Sequence, residues 1–202
     1  MEDIDPRTCS SILREVESAH LRECAAYLAG ASHDGTYNRL HGTLRISQST
    51  PEWLTVLQAV FRRVGKRSWI YKEGARRVWV VESTCRITSP LDTLSPSERA
   101  AYARGYFDAE GGVPWRTDRR FYIQLVQKDR RDLEHLRGCL ADLGVLCGRI
   151  HNPSVRADPE YWRFYVLTSS HRHFVDLVGS WHPHKRWLLG ARASLLHTSL
   201  RT

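Results

Sequence analysis

The feature that most constrains this 202-residue chain is that it repeats itself. The stretch Ala25-Ala26-Tyr27-Leu28-Ala29-Gly30-Ala31-Ser32-His33-Asp34-Gly35 has a second version at a constant offset, Ala101-Tyr102-Ala103-Arg104-Gly105-Tyr106-Phe107-Asp108-Ala109-Glu110-Gly111. Each reads as a helix that ends on an acidic residue followed by glycine, a common helix stop. Each also carries small residues four apart, Ala25 with Ala29 and Ala101 with Gly105. That spacing puts them on one face, where two helices can approach backbone to backbone.

The segments downstream of the two helices repeat as well. After the first come Thr36–Leu40, a His41-Gly42 turn and Thr43–Gln48, in which Leu44 and Ile46 alternate with Thr43, Arg45 and Ser47. Period two is the mark of a strand with one polar face. Ser49-Thr50-Pro51-Glu52 opens a helix that runs to about Val64, and two strands fit Ser68 to Lys72 and Arg77 to Glu82. The second half offers strands near Val113–Arg116 and Phe121–Gln127, a helix from Arg130 to Leu143 closed by Gly144, and strands at Gly148–His151 and Tyr161–Leu167. Two further helices fit His171–Val178 and Pro183–Leu196. The fold class is therefore α+β, with two pseudo-symmetric αββαββ(α) repeats. We divide the chain into an N-terminal extension (1–20), a first half (21–84), a linker (85–96) marked by Pro90 and Pro96, and a second half (97–202). With both halves on one polypeptide, a monomer is expected.

Helices packed through small residues would bring Asp34 and Glu110 together at one edge of the sheets. Two carboxylates held close repel unless a cation lies between them, and hard divalent cations accept such ligands. Taken singly, each acid is also what any polar residue before a helix-ending glycine would look like. The repetition, and the poor match of an acid to the negative end of a helix dipole, point to function.

Gly105-Tyr106-Phe107-Asp108-Ala109-Glu110-Gly111 resembles the LAGLIDADG signature with its acidic eighth position, and Leu28–Gly35 is a looser version. Read from Leu28, the first motif has its acid one place early. Anchored on its Asp-Gly end, the register we prefer because it equalises the halves, it places Ala29 where the interface glycine belongs and Ser32 at the inner aspartate. The chain is thus similar to single-chain, two-motif LAGLIDADG homing endonucleases over about 180 residues, in strand and helix order too. The resemblance implies motif helices packed at the interface and an antiparallel β-saddle in the DNA major groove. It also implies Mg²⁺ (with Mn²⁺ as substitute) held by Asp34 and Glu110 with help from a backbone carbonyl, and hydrolysis of both strands of a long double-stranded DNA site.

Gln48 and Gln127, each ending the strand after a motif, resemble the polar residue that orders attacking water; a surface amide at a strand end is the alternative. Lys185 resembles the basic residue that reaches the site from the last helix and could stabilise charge on phosphorus. Lys72 is its weaker counterpart, or a solvated strand residue. Alternation places Asn38, Arg45, Arg116, Tyr122, Gln124, Arg163 and Tyr165 toward DNA, and Leu44, Ile46, Ile123, Leu125, Trp162 and Phe164 toward the core. Arg, Gln and Asn suit base edges, although each is equally suited to phosphate or water.

The formal net charge of +8, carried largely by arginine pairs such as Arg62-Arg63 and Arg119-Arg120, fits a polyanionic partner. Five cysteines without a C-x-x-C pair read as thiols of a reducing compartment. No apolar run approaches a membrane span and no signal peptide opens the chain. The expected location is the cytoplasm, or an organelle matrix for an organelle-encoded protein. His171-x-His173 and His182-Pro183-His184 invite a zinc reading, weakened by the lack of partners at matching spacing. The rival to cleavage is a LAGLIDADG-fold maturase or transcription regulator that binds nucleic acid without cutting it.

Overall fold

The computed structural model describes residues 6–74, 78–84, 93–116 and 119–198, with side chains from residue 7 to residue 191. Of the expected elements, the linker residues 85–92 and the strand start at Arg77 lie outside the described residues.

Two helices form the centre: α2 (Leu21–Ala31) and α4 (Pro96–Glu110), with α1 (Pro6–Ser18) ahead of them and α3 (Glu52–Arg63) between. Both central helices start on a capping box. His20 accepts from the Arg22 amide while Glu23 returns to the His20 amide, and Ser95 and Glu98 exchange the same bonds ahead of a first-turn Pro96. These caps satisfy amides that the helix itself leaves unpaired, so each helix has a fixed start. Beyond it, burial runs almost continuously from Ala26 to Ala31 and from Ala100 to Asp108, except for Arg104, which is half-buried.

The reason is the closeness of the crossing. A Cβ on Gly30 would stand 2.1 Å from the Tyr102 carbonyl oxygen, and one on Gly105 would stand 2.0 Å from that of Tyr27. Gly30 and Gly105 thus hold equivalent places in the crossing, as do Tyr27 and Tyr102, and Ala31 and Tyr106, since each glycine meets the other helix at the matching pair of residues. This corrects the register expected from the Asp-Gly ends: the interface glycine of the first half is Gly30, and Ala29 is not at the crossing. The inner aspartate position then falls on His33, not Ser32, opposite Asp108.

From Gly105 to Glu110 there are five residues, but from Gly30 to Asp34 only four. The chain absorbs the missing residue by leaving the α-helix at Ala31 for a 3₁₀ turn over Ser32–Asp34. Five α-helical steps advance about 7.5 Å. One α step and three of the longer 3₁₀ steps advance about the same distance. The two acids therefore stand level although their motifs differ in length.

A four-stranded antiparallel sheet in the order β1-β2-β4-β3 comes after the first motif: β1 (Gly35–Asn38), β2 (Thr43–Gln48), β3 (Ser68–Lys72) and β4 (Trp79–Ser83). The second sheet runs β5 (Gly111–Gly112), β6 (Gln124–Gln127), β7 (Trp162–Tyr165). Gly35 pairs with Ile46 as Gly111 pairs with Leu125, so the two sheets share a register. The expected strand Val113–Arg116 does not form; β5 stops at Gly112, and Pro114 lacks the amide a ladder requires. The expected strand at Gly148–His151 is reduced to two bridges, Cys147 with Val166 and His151 with Arg163. It occupies the edge that β3 holds in the first half.

Leu44, Ile46, Ile123, Leu125 and Phe164 are buried as alternation requires, and Trp162 packs partly buried against the same core. Helix α3, which buries Trp53, Leu57 and Val60, packs against the first sheet, and α5 (Arg130–Asp142), which buries Leu133, Leu136 and Leu140, packs against the second. Then α6 (His171–Leu177) and α7 (Pro183–Thr198) complete the second half. The N-terminal α1 is part of this body: it buries Ile12 and Val16, and its Glu15 accepts from Arg186 at 2.7 Å and from the Trp181 indole at 3.2 Å. No described helix is long and apolar enough to cross a membrane.

Because the atoms facing Gly30 and Gly105 belong to backbone, they cannot swing aside. Gly30→Ala or Gly105→Ala should cost about 3 kcal/mol or more, the upper end of overpacking effects. For a chain this size that lowers Tm by roughly 6–12 °C. Ala29→Gly should cost only about 1 kcal/mol of helix propensity. Thermal unfolding of the three variants decides the register: equal losses at residues 29 and 30 would contradict a crossing at Gly30.

Candidate active site

The crossing delivers both motif acids to one place. Asp34 stands at the end of the 3₁₀ turn and accepts a hydrogen bond from the Gln48 amide at 2.7 Å. Glu110 is the last residue of α4, and the Gln127 side chain lies against it and the Tyr106 hydroxyl. Gln48 and Gln127 end β2 and β6, the strands next to the two motifs, so each half supplies one acid and one amide from the same places in its repeat.

Burial pushes the Asp34 carboxyl up to about 6, against the opposing pull of Gln48 and Lys185. Burial, then the like charge of Asp34, pushes Glu110 up to about 7. Two buried acids, one of which raises the other's affinity for a proton, form a site short of positive charge.

Part of that charge comes from Lys185 on the first turn of α7. Its ammonium donates to the Phe107 and Asp108 carbonyls at 2.8 and 2.7 Å, near the C-terminal end of α4. Burial lowers its pKa to about 8, while Asp108, Asp34 and Glu110 hold it up. Two of its three N–H groups are engaged in those bonds, which leaves one for the site. Lys72 stands on edge strand β3, opposite Trp79, and is not among the groups that shift either acid.

Behind the acids lies a pair of crossed contacts. The Tyr27 hydroxyl donates to Asp108 at 2.7 Å and accepts from the Trp53 indole at 2.9 Å. Its pseudo-symmetric partner, the Tyr102 hydroxyl, meets His33 Nε2 at 3.1 Å. Asp108 is fully buried and also accepts from the Ser180 hydroxyl and the Trp181 amide, so it ties the approach to α7 onto α4. Lys185 is thereby placed by the same residue whose carbonyl it binds. Sequence reasoning did not single out Tyr27, Trp53, Asp108 or Ser180. The available signal was an aspartate inside a helix otherwise lined by Ala, Gly and aromatics, where burial demands several partners.

The donor set fits a hard divalent cation. Two carboxylates have their proton affinity raised by burial, that of Glu110 also by the charge of Asp34, and among the described residues no group of three or more His, Cys, Asp or Glu converges. An ion there would complete its shell with carbonyls, water and substrate oxygens, the pattern Mg²⁺ accepts. The histidines proposed for zinc are engaged elsewhere. His171 and His173 meet the carbonyls of Val166 and Leu143, His182 stacks on Trp53 at 5.4 Å, and His184 packs on Trp115 at 4.5 Å.

The side chains expected on the outer faces of the sheets are distributed unevenly. Arg163 lies over the Tyr165 ring at 5.3 Å, Tyr122 packs edge-on against the same ring at 5.8 Å, and Gln124 donates to the Tyr161 hydroxyl at 3.3 Å. Arg116 is exposed in the loop after β5. In the first half, Asn38 caps its own turn by accepting from the Leu40 and His41 amides, so that carbonyl is committed locally. Arg45 is held by acids, 2.6 Å from Glu73.

Comparisons with known proteins place this geometry. Residues 97–179 match the family described as a LAGLIDADG-like domain. Among solved structures, I-DmoI in complex with DNA and Mn superposes with a TM-score of 0.61 at 15% identity, covering 79% of this chain and 98% of that one. I-DmoI with DNA and Ca gives 0.61 at 16% identity, covering 79% and 91%. The N-terminal LAGLIDADG domain of WhiA gives 0.64 at 16% identity, covering 89% and 96%. Full-length WhiA from Thermatoga maritima gives 0.65 at 14% identity, covering 90% of this chain and 65% of that one. The comparison with curated proteins found no match. Residues 97–179 are thus a LAGLIDADG-like domain, and the chain as a whole, its two motif helices crossed at paired glycines, has the LAGLIDADG fold.

Proposed function

We propose that this protein is a site-specific endonuclease that hydrolyses one phosphodiester on each strand of a long duplex DNA target, using Mg²⁺ or Mn²⁺. The observation that carries the reading is the convergence of Asp34 and Glu110 at a helix crossing, each braced by a glutamine and both within the field of one buried lysine. Similar folds bound to DNA with Mn or Ca support it.

Asp34 and Glu110 would hold the cation, which would activate water and neutralise charge on the leaving oxygen. Gln48 and Gln127 fix the orientation of the two carboxylates and offer remaining amide atoms to order a water in line with phosphorus. Lys185, anchored through two carbonyls, points its third N–H at charge building on the phosphate oxygens. Arginines of the second half, Arg116 and Arg163 with Arg119 and Arg120 beside them, would meet the DNA backbone. The Ala-, Gly- and Tyr-lined crossing keeps the two acids level, so each half addresses one strand.

Asp34→Asn or Glu110→Gln should abolish double-strand cleavage, by about 100-fold or more, since outer-sphere changes alone cost 10–100-fold. Binding should survive, because a negative charge is removed from a DNA-facing site. The measurement is cleavage of a randomised duplex library in Mg²⁺, with a chelator control, beside filter binding of the same variants. Wild-type activity in both variants would remove these residues from the site. Salt-sensitive binding by wild type with no cutting in either metal would instead favour a protein that binds without cleaving.

The raised carboxyl pKa values also fix a sign. Asp34 and Glu110 titrate at about 6 and about 7 in the fold, above their ordinary values of 3.8 and 4.5. Their protonated forms therefore favour the folded state, a contribution present in full below the ordinary values and lost as pH rises through 6 to 7. Metal-free wild type should lose Tm across that window, and Asp34→Asn should lose less. Mg²⁺ should restore wild-type Tm at pH 8 and leave the variant nearly unchanged. A Tm at pH 8 that does not respond to Mg²⁺ in wild type would count against the cation site.

A further inference from the structure

The outer face of the first sheet carries a feature that a surface for binding a polyanion should avoid: two carboxylates beside its arginine. Glu82 on β4 stands directly opposite Arg45 on β2 in the ladder, and Glu73 comes directly after β3. Glu82 accepts from the Thr43 hydroxyl at 2.6 Å on one oxygen and from the Tyr71 hydroxyl at 2.8 Å on the other. Its side chain retains only 13% exposure. Burial opposes its ionisation, but the bonds from Thr43 and Tyr71, with Arg45 nearby, hold its pKa below the ordinary glutamate value.

The geometry around Arg45 is one-sided. Its Nη2 meets Glu73 at 2.6 Å and its Nε lies 3.9 Å from Glu82. Glu73 thus holds the guanidinium at Nη2, the Tyr71 hydroxyl also lies against the group, and Nε is buried without a hydrogen bond, so that Glu82 acts on it through charge and through Tyr71. At the equivalent register of the second sheet the pair is Gln124 opposite Tyr165, which carries no charge. The network is therefore peculiar to the first half.

Three roles can be weighed. Partly exposed ion pairs supply little stability, so stability alone is a poor reason for the cluster. A cytosine reader needs an accessible acceptor, and Glu82 is 13% exposed with a hydroxyl donor on each oxygen. A phosphate contact is the wrong purpose, because two acids beside one arginine leave the cluster net negative and weaken sequence-independent attraction. What the acids do supply is orientation. An arginine restrained in one orientation, its side chain still 30% exposed, matches the O6 and N7 acceptors of guanine in the major groove.

Resting on the endonuclease reading for its DNA partner, we infer that Arg45 reads a guanine in the half-site bound by the first repeat, and that Glu73 and Glu82 are positioning residues holding its guanidinium for that contact. Thr43 and Tyr71 in turn fix Glu82, so the recognition edge is built from three strands and does not depend on the flexibility of a lone side chain.

The test is binding selection from a randomised duplex library in Ca²⁺, followed by sequencing, for wild type, Arg45→Lys, Glu73→Gln and Glu82→Gln. Wild type should select a site with guanine at one position of one half-site. Arg45→Lys keeps the charge but loses the fork, and should weaken that preference about tenfold while leaving other positions alone. Glu73→Gln and Glu82→Gln should weaken it several-fold at the same position while retaining more non-cognate DNA, because each removes a negative charge. Glu73 is 41% exposed in its side chain, so its variant should fold even if Glu82→Gln is destabilised. The inference is overturned if Arg45→Lys selects the wild-type site unchanged, or if the Glu variants lose all sequences in parallel. If wild type selects a site but no variant alters it, Arg45 alone is misassigned. If wild type retains DNA with no sequence preference, or retains none, the site-specific reading itself falls, and this inference with it.

Discussion

The approach of α2 to α4 at Gly30 and Gly105 is the constraint on which the rest of the molecule depends. Nothing larger than hydrogen fits on either Cα, because the atoms opposite are carbonyl oxygens and amide nitrogens of the other helix. That closeness makes the halves one body, since the residues beside the glycines then interlock across the crossing. Tyr27 reaches Asp108 and Tyr102 reaches His33. The same closeness forces two acids together where each would otherwise seek water. The energetic strain of a paired-acid site is thus maintained by packing that is apolar and backbone-tight, away from the acids themselves.

The halves are alike in architecture and unlike in chemistry. One inner position is an aspartate that gathers Tyr27, Ser180 and Trp181, and the other is a histidine that faces Asp132 as well as Tyr102. One outer sheet face is built of Gln124, Arg163 and Tyr165, and the other holds its arginine between carboxylates. The cation behind both acids comes from the second half alone, through Lys185. A duplicated scaffold keeps the acids level, and on the proposed endonuclease reading the divergence around them suits a target whose two half-sites differ.

Much of this was legible in the chain. The repeat announced two halves, and alternation at Leu44, Ile46, Leu125 and Phe164 gave the buried sheet faces correctly. Gln48 and Gln127 were legible as strand-end residues after each motif, but not as partners of the acids, since the hydrogen bond of Gln48 to Asp34 depends on how the strand packs beside the motif. What sequence pattern did not show was the register of the first motif. Aligning on Asp34-Gly35 treats the helix as a ruler of fixed pitch, whereas the chain changes pitch at Ser32. The tertiary clash at Gly30 outranks the local motif, and only the partner helix reveals it. The outer-face network was hidden for a similar reason: Glu73 and Glu82 join Arg45 through strand pairing from well outside its own segment.

The 3₁₀ turn carries a wider consequence for how such a motif tolerates change. A one-residue deletion in a uniform helix would rotate Asp34 about 100° and draw it back about 1.5 Å, enough to remove it from Gln48 and from Glu110. Taking the lost length from helix pitch restores the axial position and leaves a smaller rotational difference, of about 40°. Ser32 supports the tighter turn, its hydroxyl donating to the Ala29 carbonyl at 2.7 Å, and a Cβ at Gly35 would lie 2.9 Å from the Ser32 carbonyl oxygen. The departure from the signature is therefore local and compensated. The glycine crossing fixes one end of the segment and the Gln48 bond to Asp34 fixes the other, and the backbone between them takes the helical form that spans the gap.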